Sequence, residues 1–474
     1  MDTRPLTGGR WRPTPEVAVA VVYVAAMFMA GTDMQIVNVA LPTLSRQFSE
    51  PLSAVQWTAI AYLLALAVLI PASGWIGDRV GVKQTFIFAL GLFTVASALC
   101  GAVHSLGELI AMRALQGAGG GMMTPSGTAM LYRTFAPERR ARVARTVIVP
   151  ILIGPGSAPI LGGALTEWFS WRWVFLINVP AGIAMVLFAW RFLPRTPPAA
   201  AGRLDVCGML LSGLGLSSLL YAVSEGSALG WGSTPVVLSA AAGTLLLATF
   251  TRWSLRSSDP ILRLRLLGDR LFRSTNIVFA LSTGPFLGSL YLTPIFLQEI
   301  LHQSPLASGT TTFLEAVGVG IGSQTLVRLY PRFGPRPLAT LGAAALAVYL
   351  SAFMLVTPDT SLWFVRGLML FGGMANSGTF LAVQTSMFTT VSSRDIGHAS
   401  AIYNTQRQSS IALNVAVLTT IAAGSADASI NAFHAAYLAA SVIAAVGASC
   451  AWTLIHTRDA RATMRVPHPP AKVS

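Results

Sequence analysis

The sequence predicts an all-α membrane protein of about fourteen transmembrane helices with both termini in the cytoplasm. Three observations carry that prediction. Apolar residues fill 53% of the 474 positions and charged residues only 11%, roughly half the charge of an average soluble domain. Runs of about twenty apolar residues, each long enough to cross a bilayer core, recur from end to end. Lys and Arg gather in alternate loops, which is the positive-inside pattern.

Each run has to be a helix. Lipid offers backbone N–H and C=O groups no partner, so a spanning segment is either a helix or a strand of a closed barrel. Barrel strands alternate polar and apolar residues, and these runs do not. Run lengths and breakers place helices at about 15–41, 54–76, 84–103, 107–132, 141–168, 172–193 and 204–224. The others fall at about 236–254, 272–300, 306–327, 336–356, 361–391, 396–421 and 432–456. An even number of crossings agrees with two basic tails.

The net charge is +14, and its placement decides what it means. Arg4, Arg10 and Arg12 stand in the first tail, Arg79 and Lys83 after the second helix, and Arg133, Arg139, Arg140, Arg142 and Arg145 after the fourth. The series continues through Arg195 and Arg203, the stretch from Arg252 to Arg273, then Arg328, Arg332 and Arg336. Arg458, Arg461, Arg465 and Lys472 close it, while Arg46 and Arg172 are the clearest exceptions. Orientation and attraction to anionic lipid account for the excess, so no nucleic-acid partner is expected. Tryptophan prefers the membrane interface. Trp57, Trp168, Trp171, Trp173, Trp231 and Trp363 fall near outer helix ends, and Trp75, Trp190, Trp253 and Trp452 near inner ones. Cys100, Cys207 and Cys450 lie in apolar runs, where a thiol packs as a small hydrophobe. No cleavable signal peptide is expected, because the first run is too long and follows a charged tail.

The expected organisation is a cytoplasmic tail (1–14), a six-helix bundle (15–193), two extra helices with basic linkers (194–271), a second six-helix bundle (272–456) and a basic tail (457–474). A faint internal repeat supports it. Arg113 opens an Ala-Leu-Gln-Gly run in the fourth helix as Arg366 opens Gly-Leu-Met-Leu in the twelfth, and the loop at 74–83 has a weaker echo at 328–336.

Several stretches carry chemistry. Gly74-Trp-Ile-Gly-Asp-Arg-Val-Gly-Val-Lys83 is a glycine-assisted turn with Asp78 and Arg79 facing neighbouring helix ends. Arg113-Ala-Leu-Gln-Gly-Ala-Gly119 sets an arginine inside a helix, where it must face a cavity or a carboxylate, or snorkel to the outer interface. Gly154-Pro-Gly-Ser-Ala-Pro-Ile-Leu-Gly-Gly163 in the fifth helix combines small residues and prolines, which permit close packing and a bend. Gly31-Thr-Asp-Met-Gln-Ile-Val-Asn-Val-Ala-Leu-Pro42 in the first helix contains Asp33.

In order and spacing these stretches resemble the motifs of the major facilitator superfamily: the GxxxDRxGrk loop, RxxqGxG, and the GPxxGG run of exporters. The first-helix stretch is similar to the signature of its fourteen-helix drug:proton antiporter family, the EmrB/QacA type. Trp171-Arg-Trp-Val-Phe-Leu-Ile-Asn-Val-Pro-Ala-Gly182 and Asn404-Thr-Gln-Arg-Gln408 support the same subfamily. Val82 departs from the basic residue usual there, Ala158 from a glycine, and Pro331 from an acidic residue in the second-half loop. Glu315 stands where the family has an apolar residue or proline.

The resemblance implies a major facilitator fold of two six-helix bundles plus two extra central helices. It implies a proton-coupled exporter that works by alternating access on amphipathic, cationic drugs, dyes or biocides, with the site between the halves near the midplane. An exporter of one natural product or lipid, or a proton-coupled importer, stays open as the other reading. Gly74, Asp78, Arg79, Gly81 and Lys83 would form the gating loop, and Gly154, Pro155, Pro159, Gly162 and Gly163 the antiporter run. No cofactor and no metal are expected, only the proton gradient. The expected partners are a small-molecule substrate, protons and membrane lipid, with the chain a monomer in the bacterial plasma (inner) membrane.

Asp33 and Glu315 are the clearest acidic residues well inside predicted helices. Burial disfavours the charged form of a carboxyl, so such groups exchange protons near physiological pH. Asp33 has the better claim, with a structural pairing to Arg113 as its alternative; Glu315 rests on its position alone. Glu225 and Glu299 lie near outer ends and read as interfacial. A primary pump is excluded, because neither Lys83 nor Lys472 follows a GxxxxG stretch. A membrane enzyme is not expected: the six histidines show no paired spacing, and no nucleophile elbow is visible.

Overall fold

The computed structural model describes residues 13–135, 154–194, 204–392, 395–422 and 429–455, and among them the chain is helical, with no strand. The basic cluster Arg139 to Arg145, Arg195, Arg203, both tails and the first part of the predicted fifth helix lie outside the described residues.

The first bundle comprises α1 (Pro15–Phe48), α2 (Leu52–Val55), α3 (Trp57–Val80), α4 (Val82–Ala102), α5 (Leu106–Thr134), α6 (154–168), α7 (Trp173–Leu176) and α8 (Asn178–Phe192). Single-turn α2 and α7 lead into α3 and α8, so the bundle has six long helices. A hairpin follows, α9 (Val206–Leu229) and α10 (Thr234–Arg256). The second bundle comprises α11 (Arg270–Glu299), α12 (Pro305–Phe333), α13 (Pro335–Ala352), α14 (Leu362–Ser386), α15 (Ile396–Ala422) and α16 (Ile430–Leu454). Nine spans among the described residues are long and apolar enough to cross a membrane.

Helix starts are set by short polar side chains that accept from the first free N–H groups. Thr14, Asp205, Asp269, Ser304 and Ser429 cap α1, α9, α11, α12 and α16 in this way, and Ser105 with Glu108 completes a capping box on α5. The largest boundary difference from the sequence reading is at the end of α1, and α12 likewise runs past its expected end at 327, through Pro331 to Phe333. α1 continues through Pro42 to Phe48 before Ser49 turns left-handed, because a membrane helix tolerates an internal proline when its neighbours cover the freed carbonyl.

Between α3 and α4 stands one residue, Gly81 (φ 103°), and between α12 and α13 one residue, Gly334 (φ 76°). The interval from Gly81 to Gly334 is the interval from Arg113 to Arg366, so the repeat holds in the backbone. The same offset carries Asp33 to Phe286. That explains why Arg366 has no counterpart of Asp33 and stacks on Trp363 instead, 4.7 Å from the ring centroid.

Helices α3 and α4 pack on α5, and α4 also on α8; in the second bundle α12 and α13 pack on α14, and α11 and α13 on α16. One face of the molecule carries Arg79, Lys83, Arg252, Arg256, Arg270 and Arg332 at helix ends; we call it the basic face. On the far face the two exceptional arginines have local explanations. Arg46 pairs with Glu299 across α1 and α11 at 3.1 Å. Arg172 donates to the Val103 carbonyl at 3.2 Å and stacks 4.5 Å over Trp171, whose indole is buried rather than interfacial. Cys207, in turn, is exposed.

The hairpin bridges the bundles. α9 touches both α3 and α15: Trp57 Nε1 donates to Glu225 at 3.1 Å, and Thr420 Oγ1 donates to the Val223 carbonyl at 3.1 Å. At the basic face Asp205 caps α9 and also accepts from Trp253 Nε1 at 2.8 Å and Ile261 N at 3.0 Å, tying down α10 and the linker behind it.

Candidate functional site

Asp33 lies midway along α1 with no exposed surface. Its Oδ2 accepts from Arg113 Nη1 at 2.7 Å; its Oδ1 accepts from Gln116 Nε2 at 2.7 Å and from Asn178 Nδ2 at 2.9 Å. Arg113, 1% exposed, also donates to Gln116 Oε1 at 2.7 Å and to the Thr58 carbonyl at 3.2 Å. Its guanidinium lies 4.2 Å from the centre of the Tyr62 ring. Ser97 accepts from Gln116 and Asn178 and donates to the Phe175 carbonyl at 2.9 Å. Side chains of α1, α3, α4, α5 and α8 thus converge on one ion pair.

That convergence is what a buried ion pair requires. Removing two charges from water costs several kcal/mol per ion, roughly recovered only when every lone pair and proton finds a partner. Here the carboxylate takes three donors, and the ring face of Tyr62 covers the guanidinium. Arg113 therefore does not snorkel.

The sequence pointed to Asp33 and Arg113 but not to the roles of Gln116, Asn178, Ser97 and Tyr62. Gln116 had a usable signal: three residues from Arg113, it shares its helix face. Asn178 stood inside a stretch already singled out. Ser97 and Tyr62 carried no signal, because a serine or tyrosine in an apolar run looks like any other core residue.

Glu315 shares no hydrogen bond with this network. It is buried in the second bundle, where Tyr349 Oη donates to its Oε1 at 3.2 Å. Its Oε2 is enclosed without a partner.

In the loop motif, Gly81 is required by its positive φ. Asp78 lines a cavity of ≈ 130 Å³ together with Pro125, Ser126 and Ala129 of α5, while Arg79 is exposed. Gly74 is exposed, with no atom near the place a Cβ would take. Lys83 reaches sideways to α8, donating to the Trp190 and Leu193 carbonyls at 3.1 and 2.6 Å. The structure therefore joins Lys83 to the end of α8, while Asp78 and α5 border the same cavity.

The fifth-helix run makes α6 a thin helix between α1 and α12. A Cβ on Gly162 would sit 2.7 Å from the Ile36 carbonyl, and one on Gly163 2.5 Å from the Pro305 carbonyl. Gly154 meets Phe28 and Pro155 meets Gly31 on the α1 side, while the Pro159 carbonyl faces Gly309 of α12. Ala158 is fully buried, so its methyl fits where the motif has glycine. Nearer the far face, Glu167 accepts from Leu306 N at 3.0 Å. α1 and α11 also meet there, where Gln298 Nε2 donates to the Val39 carbonyl at 2.9 Å, and again at mid-helix, where Tyr291 Oη donates to the Met34 carbonyl at 3.4 Å.

Residues 23–415 match the family model of the Major Facilitator Superfamily. The chain belongs to that superfamily. The chain is 35% identical over 356 residues to the multidrug resistance protein B homolog of Mycobacterium tuberculosis, covering 74% of this chain and 66% of the relative. The chain thus spans slightly under two thirds of that relative's length. It is 31% identical over 395 residues to the putative multidrug resistance protein MdtD of Serratia proteamaculans, covering 82% of each. The fold matches solved structures. A D-xylose-proton symporter superposes with a TM-score of 0.66 at 15% identity, covering 93% of this chain and 98% of that one. A bacterial homolog of the human lysosomal transporter Spinster, inward-facing and unoccupied, gives 0.64 at 17% identity, covering 96% and 99%.

Proposed function

We propose that this transporter exports amphipathic drugs or related small molecules from bacterial cells in exchange for protons, by alternating access between the two bundles. The observation that carries the coupling is the Asp33–Arg113 pair at 2.7 Å, buried where five membrane helices meet. Protonation of Asp33 would cancel its charge and leave Arg113 facing a neutral acid, an unfavourable arrangement at this depth. Relief would come from moving α1 relative to α5 and α8. α1 also carries the contacts to α6 and α11, so its movement would reach the seam between the bundles. Export as the direction, and drugs as the cargo, are supported by the names of the relatives and by the small-residue run on α6. The termini would face the cytoplasm, as the basic face implies.

Alternating access on this framework means exchanging one closed face for the other. The far-face contacts, Arg46–Glu299, Glu167–Leu306 and Gln298–Val39, would separate as the basic face closes. Loop residues Gly74, Asp78, Arg79, Gly81 and Lys83 would act in that closure, and Gly154, Pro155, Pro159, Gly162 and Gly163 would let α6 slide between α1 and α12. Glu315 would be a second proton-accepting group.

The test is transport of a panel of amphipathic fluorescent dyes, cationic and acidic, into inverted membrane vesicles energised by a proton gradient. Accumulation that protonophore collapses, and that vesicles lacking the protein do not show, is the expected result. Dye movement indifferent to the gradient would refute proton coupling, and uptake in intact cells rather than efflux would refute export.

A further inference from the structure

Arg407 is an intramembrane arginine outside the Asp33 network. It stands near the middle of α15, partly buried, and its Nε is enclosed with no acceptor. It makes no hydrogen bond or ion pair with the described residues.

Its helix sets its direction. Positions three and four apart share a face of an α-helix. Tyr403 lies edge-on to Phe279 of α11 with ring centroids 5.3 Å apart, and a Cβ on Gly284 or Gly288 of α11 would run into Asn414. Ile411 and Val415 join the cluster that holds Tyr62, Leu63 and Leu66 of α3. Arg407 falls between the face of α15 turned to α11 and the face turned to α3. It therefore addresses the seam between the two bundles.

Its neighbours are also short of partners. Tyr403 Oη, one turn before Arg407 on the same face of α15, and Thr283 Oγ1 on the facing α11 are enclosed without a hydrogen bond. Buried polar atoms are normally paired, and an ionisable group within a membrane normally has a counter-charge. The carboxylates that could have served are engaged elsewhere. Asp33 is held by Arg113, and Glu315 is turned into the second bundle towards Tyr349. The charge left at the seam is positive.

We propose that Arg407 binds an acidic group of the transported molecule, a carboxylate or comparable oxyanion on an amphipathic body. The guanidinium fork matches a carboxylate with two parallel hydrogen bonds, and the low-dielectric surroundings strengthen them. The exported compounds are then acids or zwitterions, not simple cations. The physiological meaning of the site rests on the export reading, but the binding itself does not.

The experiment is equilibrium binding, without any gradient, of one naphthyl amphiphile in three forms to the purified full-length protein: carboxylate, methyl ester and primary amine. The carboxylate is expected to bind about tenfold tighter than the other two, the usual worth of a charge-assisted hydrogen bond in a buried site. Arg407→Gln should bring the carboxylate down to the level of the ester, and Arg407→Lys should keep part of the preference. Equal or tighter binding of the amine or ester overturns the proposal, as does an Arg407→Gln protein that still prefers the carboxylate. Should the glutamine variant not fold, the three ligands on the unaltered protein decide alone. Failure of the transport reading would show in the vesicle assay and leave these affinities untouched.

Discussion

Arg113 and Asp33 come from helices α5 and α1 and meet at 2.7 Å with neither side chain more than 1% exposed. A charged pair so enclosed is held together by what surrounds it, and removing one partner is worse than removing both.

Asp33→Asn alone is therefore expected to destabilise the folded protein by about 3–5 kcal/mol, because it leaves an uncompensated buried cation. Asp33→Asn combined with Arg113→Gln should recover most of that loss while gradient-driven accumulation stays abolished. Thermal unfolding of the single and double variants checks it, and additive losses would contradict it.

The loop motif separates a glycine needed for its backbone from one that is not. Gly81→Ala forces a side chain into φ 103° and should cost about 1–3 kcal/mol. Gly74→Ala meets nothing within 4 Å and should stay within about 0.5 kcal/mol of the parent. Comparison of the two unfolding temperatures is the measurement; a Gly74 variant as damaged as the Gly81 variant would contradict the account of this state.

Most of the fold was legible in the sequence because its governing constraint is one-dimensional. A segment in lipid must be apolar for about twenty residues and must satisfy its own backbone, so run length and the sign of the flanking charge suffice. What is not written that way is three-dimensional partnering. Asp33 and Arg113 stood out because a charge in an apolar run is rare, yet nothing in the chain says that Asn178 completes the carboxylate's shell or that Tyr62 covers the guanidinium. The continuation of α1 beyond Pro42 was hidden because the residue that usually stops a helix is tolerated in this solvent. The motif marks Lys83 as a loop residue, but nothing in the chain says that its ammonium donates to the Trp190 and Leu193 carbonyls at the end of α8.

The far-face pair Arg46–Glu299 is exposed, 61% and 34% for the two side chains, so it should contribute no more than about 1 kcal/mol. Arg46→Ala is expected to leave thermal stability nearly unchanged, and exchanging the two charges (Arg46→Glu with Glu299→Arg) should preserve transport. A large loss in the exchanged protein would mean that Arg46 serves something other than this pairing.

Glu315 and Tyr349 form a smaller buried unit. Tyr349→Phe removes the donor to Oε1 and should cost about 1–3 kcal/mol, an effect absent when Glu315 is already leucine. A double-mutant cycle on unfolding tests this. If Glu315 carries a proton, Glu315→Gln should lower the number of protons moved per substrate without stopping transport.

The coupling role of Asp33 is tested most directly in proteoliposomes by comparing two activities of the Asp33→Asn protein. One is exchange of labelled for unlabelled substrate with no gradient; the other is accumulation driven by an imposed proton gradient. The account predicts that exchange persists while gradient-driven accumulation disappears. Accumulation that survives in Asp33→Asn would contradict it, and the proton would have to travel through another group.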